Sequence, residues 1–234
     1  LSDGGIERLN ANAVDFAQVN TAFDSGVLDG NETVVISNEI TATNIDTILG
    51  RTSGAVTATV TADTASNLNT NLTNKDSSDI LTLTVNDSGS TTDASDLIAL
   101  NAATTQQINV ANITSGINGD ASELIDIYDT NSLDYNGLGN ETVTVDDTIN
   151  STDIDTIIDA TSGIVTAVVS SDTAATLNSN INDSGSQVNA LTLITTGVAT
   201  ASDLNSLDAK TSVAIEVNSS SISGDFTSLN TLYV

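Results

Sequence analysis

The sequence predicts an α/β solenoid, in which coils of roughly 25 residues, each one strand plus one short helix, stack their strands into a parallel β-sheet; an all-β solenoid is the alternative. Three observations lead there. The chain is duplicated: Gly30-Asn31-Glu32-Thr33-Val34 returns 109 residues later as Gly139-Asn140-Glu141-Thr142-Val143. At the same offset Ile45-Asp46-Thr47-Ile48 returns as Ile154-Asp155-Thr156-Ile157, and Asp63-Thr64-Ala65 as Asp172-Thr173-Ala174. Short β-branched runs recur at a regular interval, and between them Asp precedes apolar residues spaced three or four apart.

The runs at 33–36, 55–61, 80–85, 107–110, 142–145, 164–169, 190–195 and 213–217 alternate apolar with polar and are rich in Val, Thr and Ile. That period of two predicts strands. Ser95-Asp96-Leu97-Ile98-Ala99-Leu100, Thr152-Asp153-Ile154-Asp155-Thr156-Ile157 and Ser202-Asp203-Leu204-Asn205-Ser206-Leu207 predict short capped helices, with related starts at Gly119-Asp120, Ser171-Asp172 and Gly224-Asp225. Leu97 with Leu100, Ile154 with Ile157, and Leu204 with Leu207 are expected to face inward. Each large aliphatic so buried contributes about 1.5–3 kcal/mol, enough to stabilise stacked coils without aromatics. Asn86-Asp87-Ser88-Gly89-Ser90 and Asn182-Asp183-Ser184-Gly185-Ser186 predict tight turns, because these residue types tolerate left-handed backbone.

The organisation read from the repeats is a first coil or N-terminal cap of atypical sequence at 1–30, a first long repeat at 31–139 and a second at 140–234, continuous with the first. The chain begins at Leu1 and is expected to be a processed product or an excised piece. No apolar run approaches the roughly 18 residues of a spanning helix, so membrane insertion is not expected.

Charge excludes one class of partner. Against 31 acidic residues stand Arg8, Arg51, Lys75 and Lys210, for a net charge of −27. No basic patch can neutralise phosphates, so nucleic acid is not a partner. A mean hydropathy of +0.06 together with the apolar periodicity argues for an ordered fold. With no His and no Cys the chain cannot build a Ser-His-Asp triad, a Cys nucleophile or a zinc centre. Its carboxylates are spread over every repeat start and converge on no single point, so no enzyme is expected.

Asp63, Asp96, Asp120, Asp153, Asp172, Asp203 and Asp225 are read as helix caps in preference to a ladder of cation ligands. The candidate cofactor is calcium, which takes six to eight oxygens. Two loops gather such oxygens: Asp24, Asp29 and Glu32 in one, Asp134, Asn136 and Glu141 in the other, with Asn31 and Asn140 beside them and Asp126, Asp129, Asp146 and Asp147 near in sequence. Neither has EF-hand spacing. The aromatics Phe16, Phe23, Tyr128, Tyr135, Phe226 and Tyr233 are expected to fill core gaps or cover exposed ends.

Residues 171–180, Ser-Asp-Thr-Ala-Ala-Thr-Leu-Asn-Ser-Asn, and 201–209, Ala-Ser-Asp-Leu-Asn-Ser-Leu-Asp-Ala, resemble repeat units of very large bacterial surface and secreted proteins, cyanobacterial ones among them. The resemblance covers most of residues 30–234. It implies an exported protein serving in adhesion, surface layers or extracellular fibres, with no catalytic residues to carry over. The glycine-rich calcium nonapeptide of hemolysin-type repeats is missing from this chain. The expected function is therefore a structural repeat protein of a filament, surface layer or giant adhesin, secreted or at the bacterial cell surface. Its partner is itself, head to tail, or flanking repeats of the same chain; the alternative is a calcium-dependent adhesion or carbohydrate-binding module.

Overall fold

The computed structural model describes residues 15–182 and 188–233. They form a mixed α/β structure with parallel sheets, packed as two compact units: the residues up to Thr114 together with Leu133–Gly137, and Ser115–Ser132 with the residues from Leu138 onward. The first fourteen residues of the atypical first coil lie outside the described residues, as does most of the turn expected at 182–186.

The first unit holds α1 (Phe16–Asp24), α2 (Ala42–Leu49), α3 (Ala65–Asn71) and α4 (Ala94–Asn101). Val34–Val35 pairs with Val56–Thr59, and that strand with Ile80–Thr82; Ile108–Asn109 pairs with Tyr135–Asn136. The second unit holds α5 (Ala121–Ile125), continued by a π-helical turn at Asp126–Thr130, then α6 (Ser151–Ala160), α7 (Ala174–Asn180), α8 (Ala201–Asp208) and α9 (Phe226–Leu232). Its strands Ile117–Gly119, Val143–Ile149, Val165–Val169 and Ala190–Thr192 pair in that order. Ile194–Thr196 lies between Asp172–Thr173 and Glu216–Val217, and Val198–Thr200 pairs with Ser221–Ser223.

Each of these pairings is parallel. Partners lie 22 residues apart at Val34 and Val56 and 27 apart at Ile108 and Tyr135. Parallel neighbours need a crossover of a dozen residues or more, and each crossover here carries a turn and a short helix. Side chains obey the period of two: Val165, Ala167 and Val169 are buried, while Thr166 and Val168 point outward. Leu97, Leu100, Ile154, Ile157, Leu204 and Leu207 all face the interior, as their spacing predicts. Leu68, Leu81, Leu83, Leu177 and Leu191 fill it further.

Except at Val143–Ile149, which extends beyond the run at 142–145, the strands are shorter than the alternating runs. The run at 190–195 bends in its middle, so Ala190–Thr192 and Ile194–Thr196 belong to different sheets although Leu191, Leu193 and Thr195 all remain buried. Alternation survives the bend, which is why periodicity alone does not reveal it. Ile117–Gly119 and Tyr135–Asn136 escape the pattern because runs of two or three residues hold too few periods to register. The turn after Asn86 forms as expected, with Gly89 left-handed at φ 95° and the buried Asp87 accepting from the Thr92 hydroxyl and the Ala65 N–H.

The reading of these seven aspartates as helix caps needs correction. Only Asp120 and Asp225 of that set are N-caps. Asp96, Asp153 and Asp203 sit at the third helical position, and the caps before them are Asp93, Asn150 and Thr200. Asp63 and Asp172 precede the true caps, Thr64 and Thr173. The chemistry is still that of a helix start, because a carboxylate in the first turn faces unpaired N–H groups and the positive end of the helix dipole. Thr200 caps the Asp203 N–H at 3.0 Å and donates its hydroxyl to the Asp203 carboxylate at 2.8 Å.

Candidate functional site

The two Gly-Asn-Glu turns are built alike. Glu32 folds back over its own turn and accepts the N–H groups of Asp29, Gly30 and Asn31. Glu141 does the same with Gly139 and Asn140. Burial works against the charge on Glu32, but the converging N–H groups prevail and hold its carboxyl below the usual carboxylate value. In the following coil Thr52 and Thr161 donate their hydroxyls to the carbonyls of Glu32 and Glu141, at 2.6 and 2.7 Å. Ser53 and Ser162 donate to the carbonyls of Gly30 and Gly139. Apart from the Asp29 N–H bond, these contacts recur at the 109-residue offset.

The threonine hook continues beyond the sequence duplication. Thr104 and Thr211 are buried, donate to the carbonyls of Leu81 and Leu191, and accept the N–H groups of those same residues. Each of the four hooks also accepts the N–H two residues on, at Gly54, Gln106, Gly163 and Val213. Two further coils replace the hook with an Asx side chain: Asp79 accepts the Val56 N–H, and Asn189 the Val165 N–H.

Asp79 is almost fully buried. Burial is the strongest influence on its carboxyl and raises its pKa; the Asp76 charge pushes the same way, while the N–H groups of Asp76 and Val56 offset part of the shift. A raised native pKa means that the folded state binds the proton more tightly, so this group's contribution is present below about pH 4 and is lost as pH rises through the native value. Asp79→Asn removes that titration. Denaturant unfolding at a series of pH values should show the stability of the wild type relative to D79N falling as pH rises from about 3 to about 6; a constant difference would contradict the assignment.

Two lysines meet equivalent sites from different places in the chain. Lys75 donates to Asn69 Oδ1 and the Leu72 carbonyl at the end of α3, both at 2.9 Å. Lys210, arriving from beyond α8, donates to Asn178 Oδ1 and to the carbonyls of Asn178 and Ile181 at the end of α7. A cation there satisfies carbonyls that have no helical partner and complements the negative end of the dipole. The same asparagines hand their Nδ2 hydrogens to Asp96 and Asp203 on the neighbouring helix. Desolvation lowers the Lys75 pKa against the opposing pull of Asp46 and Asp96.

The calcium candidates are each engaged by protein groups. Asp24 pairs with Arg51 at 2.6 Å, and Asp29 accepts from the Asn31 side chain. Asp134 accepts from Asn101 at 2.9 Å, and Asn136 lies in the strand beside Ile108–Asn109. Glu141, in the second unit, also accepts the buried Tyr128 hydroxyl at 2.5 Å. Asp126 accepts from Asn131, Asp146 from Asn118 and Asp147 from the Ala121 N–H. Among the described residues, no three His, Cys, Asp or Glu side chains gather closely enough to hold a metal ion. Of the aromatics, Tyr128 and Tyr135 are buried, Phe16 and Phe23 half-buried, and Phe226 and Tyr233 exposed. Tyr128 is the residue that sequence reasoning passed over: burial, and then the Glu141 charge, push its hydroxyl well above the ordinary phenol value, so it stays a donor.

What fold and side chains define together is a mixed α/β protein whose parallel strands are joined by repeated side-chain hooks. Among the described residues no helix is long and apolar enough to cross a membrane. No protein-family model, no curated protein and no solved structure matches the chain.

Proposed function

We propose that this chain is a structural repeat segment, a solenoid of strand-and-helix coils that supplies length and a soluble acidic surface to a bacterial extracellular filament, surface layer or giant adhesin. The observation that carries the reading is the recurrence of the same coil-to-coil contacts at Glu32 and Glu141, Thr52 and Thr161, and Asn69 and Asn178. A binding protein or enzyme concentrates its polar chemistry at one unique place; here the polar groups are spent on stacking. The net charge of −27 keeps such a surface hydrated.

Electron microscopy of the purified protein, with calcium and with a chelator, tests the reading. Filaments or sheets are expected in both conditions, because the candidate carboxylates already have protein partners. Monodisperse particles in both would overturn self-assembly.

A further inference from the structure

Both lysines of the chain stand in the same three-residue arrangement, one in each compact unit. Lys75 Nζ donates to Asn69 Oδ1 at 2.9 Å, and Asn69 Nδ2 donates to Asp96 Oδ1 at 3.1 Å. Lys210 Nζ donates to Asn178 Oδ1 at 2.8 Å, and Asn178 Nδ2 donates to Asp203 Oδ1 at 3.2 Å. All six residues are half-buried. In each site the asparagine sits on one helix and the carboxylate in the first turn of the next, α3 with α4 and α7 with α8. The asparagines are related by the duplication, but the lysines are not: at the 109-residue offset Lys75 meets Ser184, and Lys210 meets Asn101. The chain thus brings an amine to this place twice, by two routes, six residues after Asn69 and 32 after Asn178.

A cation that only finishes a helix end needs carbonyls, and Arg serves there as well as Lys. The side-chain amide between amine and carboxylate adds the parts of an acyl transfer: a nucleophile against the amide, and an acid–base group on the nitrogen that leaves. We propose that each lysine closes an isopeptide bond with its asparagine, Lys75 with Asn69 and Lys210 with Asn178. Nζ gives a proton to the Asp carboxylate, and its freed lone pair attacks Cγ. The protonated Asp then hands that proton to Nδ2. The Cγ–Nδ2 bond breaks, a second proton passes from Nζ by the same carboxylate, and the leaving nitrogen departs as ammonium. One cation is consumed and one released, and a neutral amide remains. Carbonyls of Leu72 at one site, and of Asn178 and Ile181 at the other, hold Nζ in place for the attack. Desolvation of Lys75 favours its neutral, nucleophilic form. The Lys210 bond ties the end of α7 to the segment after α8, and the Lys75 bond seals the end of α3. Both lie within a unit, so they form whether or not copies assemble.

Intact-mass spectrometry of the full-length protein, sampled over time in mildly alkaline buffer after cell-free synthesis, tests it. The final mass should fall short of the sequence mass by two molecules of ammonia, and digestion before aspartates should leave Asn178 and Lys210 in one branched peptide. Lys75→Arg and Lys210→Arg keep the charge at the helix end and should each restore one ammonia mass. Asp96→Asn and Asp203→Asn should each slow closure of their own bond by about a hundredfold or more, with an unchanged circular dichroism spectrum. Closure of either bond at the wild-type rate in its Asp→Asn variant would overturn the acid–base assignment. A full sequence mass at the end of incubation would overturn the proposal. So would a deficit that survives in the K75R/K210R double variant, because the ammonia would then come from a cyclised asparagine.

Discussion

Gly163→Ala is expected to destabilise the second unit by about 3 kcal/mol or more, the upper part of the range for overpacking a site that cannot relax. A Cβ at Gly163 would lie 2.8 Å from the Thr142 backbone nitrogen and closer still to the carbonyl of Glu141. These are backbone atoms of the preceding coil, fixed by the Thr161 and Ser162 hooks, so no side chain can swing aside. Gly54→Ala should behave alike, since its Cβ would meet the carbonyls of Glu32 and Asn31. Gly50→Ala is the control, because its Cβ meets only the Asn74 side chain. Chemical denaturation read by circular dichroism should place G163A and G54A far below the wild type and G50A near it. A G163A midpoint equal to that of G50A would mean that the coils are less closely stacked than described.

Glu141→Ala should cost about 3 kcal/mol and Glu32→Ala about 1 kcal/mol, measured in the same way. Both substitutions strip the acceptor from a turn's N–H groups. Glu141 is buried, however, and its loss also orphans the buried Tyr128 hydroxyl, whereas Glu32 is half-buried with no tyrosine on it. The double mutant supplies the check: once Tyr128→Phe is present, the additional cost of E141A should fall toward that of E32A. Equal costs for the two single variants would mean that the Tyr128 hydroxyl adds nothing to the hold on Glu141.

Much of the architecture is legible in the residues. The inward faces of the helices at Leu97, Ile154 and Leu204 follow from spacing alone, since apolar residues three apart on a short helix have one side to bury. The parallel strands follow from β-branched alternation together with the repeat length. The caps are less legible, because Ser, Thr, Asn and Asp all suit several first-turn positions and only geometry chooses among them; Asp203 thus yields the cap to Thr200. The turns at Glu32 and Glu141 show their oxygen-rich composition in sequence, but composition does not tell whether oxygens point outward to a cation or inward to backbone N–H groups. The lysines are the least legible. Lys75 follows its helix directly and Lys210 comes from a whole coil later, so the equivalence of their positions exists only in three dimensions.

Those lysines bear on how the chain meets a protease. A trypsin-like protease cuts after Lys or Arg, and 234 residues offer it four such places. Besides Arg8, one is Arg51, held to Asp24, and the other two are the half-buried lysines whose ammonium groups are drawn into helix ends. A protease must extract the side chain into its own acidic pocket, and here the same hydrogen bonds that finish α3 and α7 withhold it. The sparing use of cations, read first as a source of surface charge, also leaves a digestive enzyme little to grip.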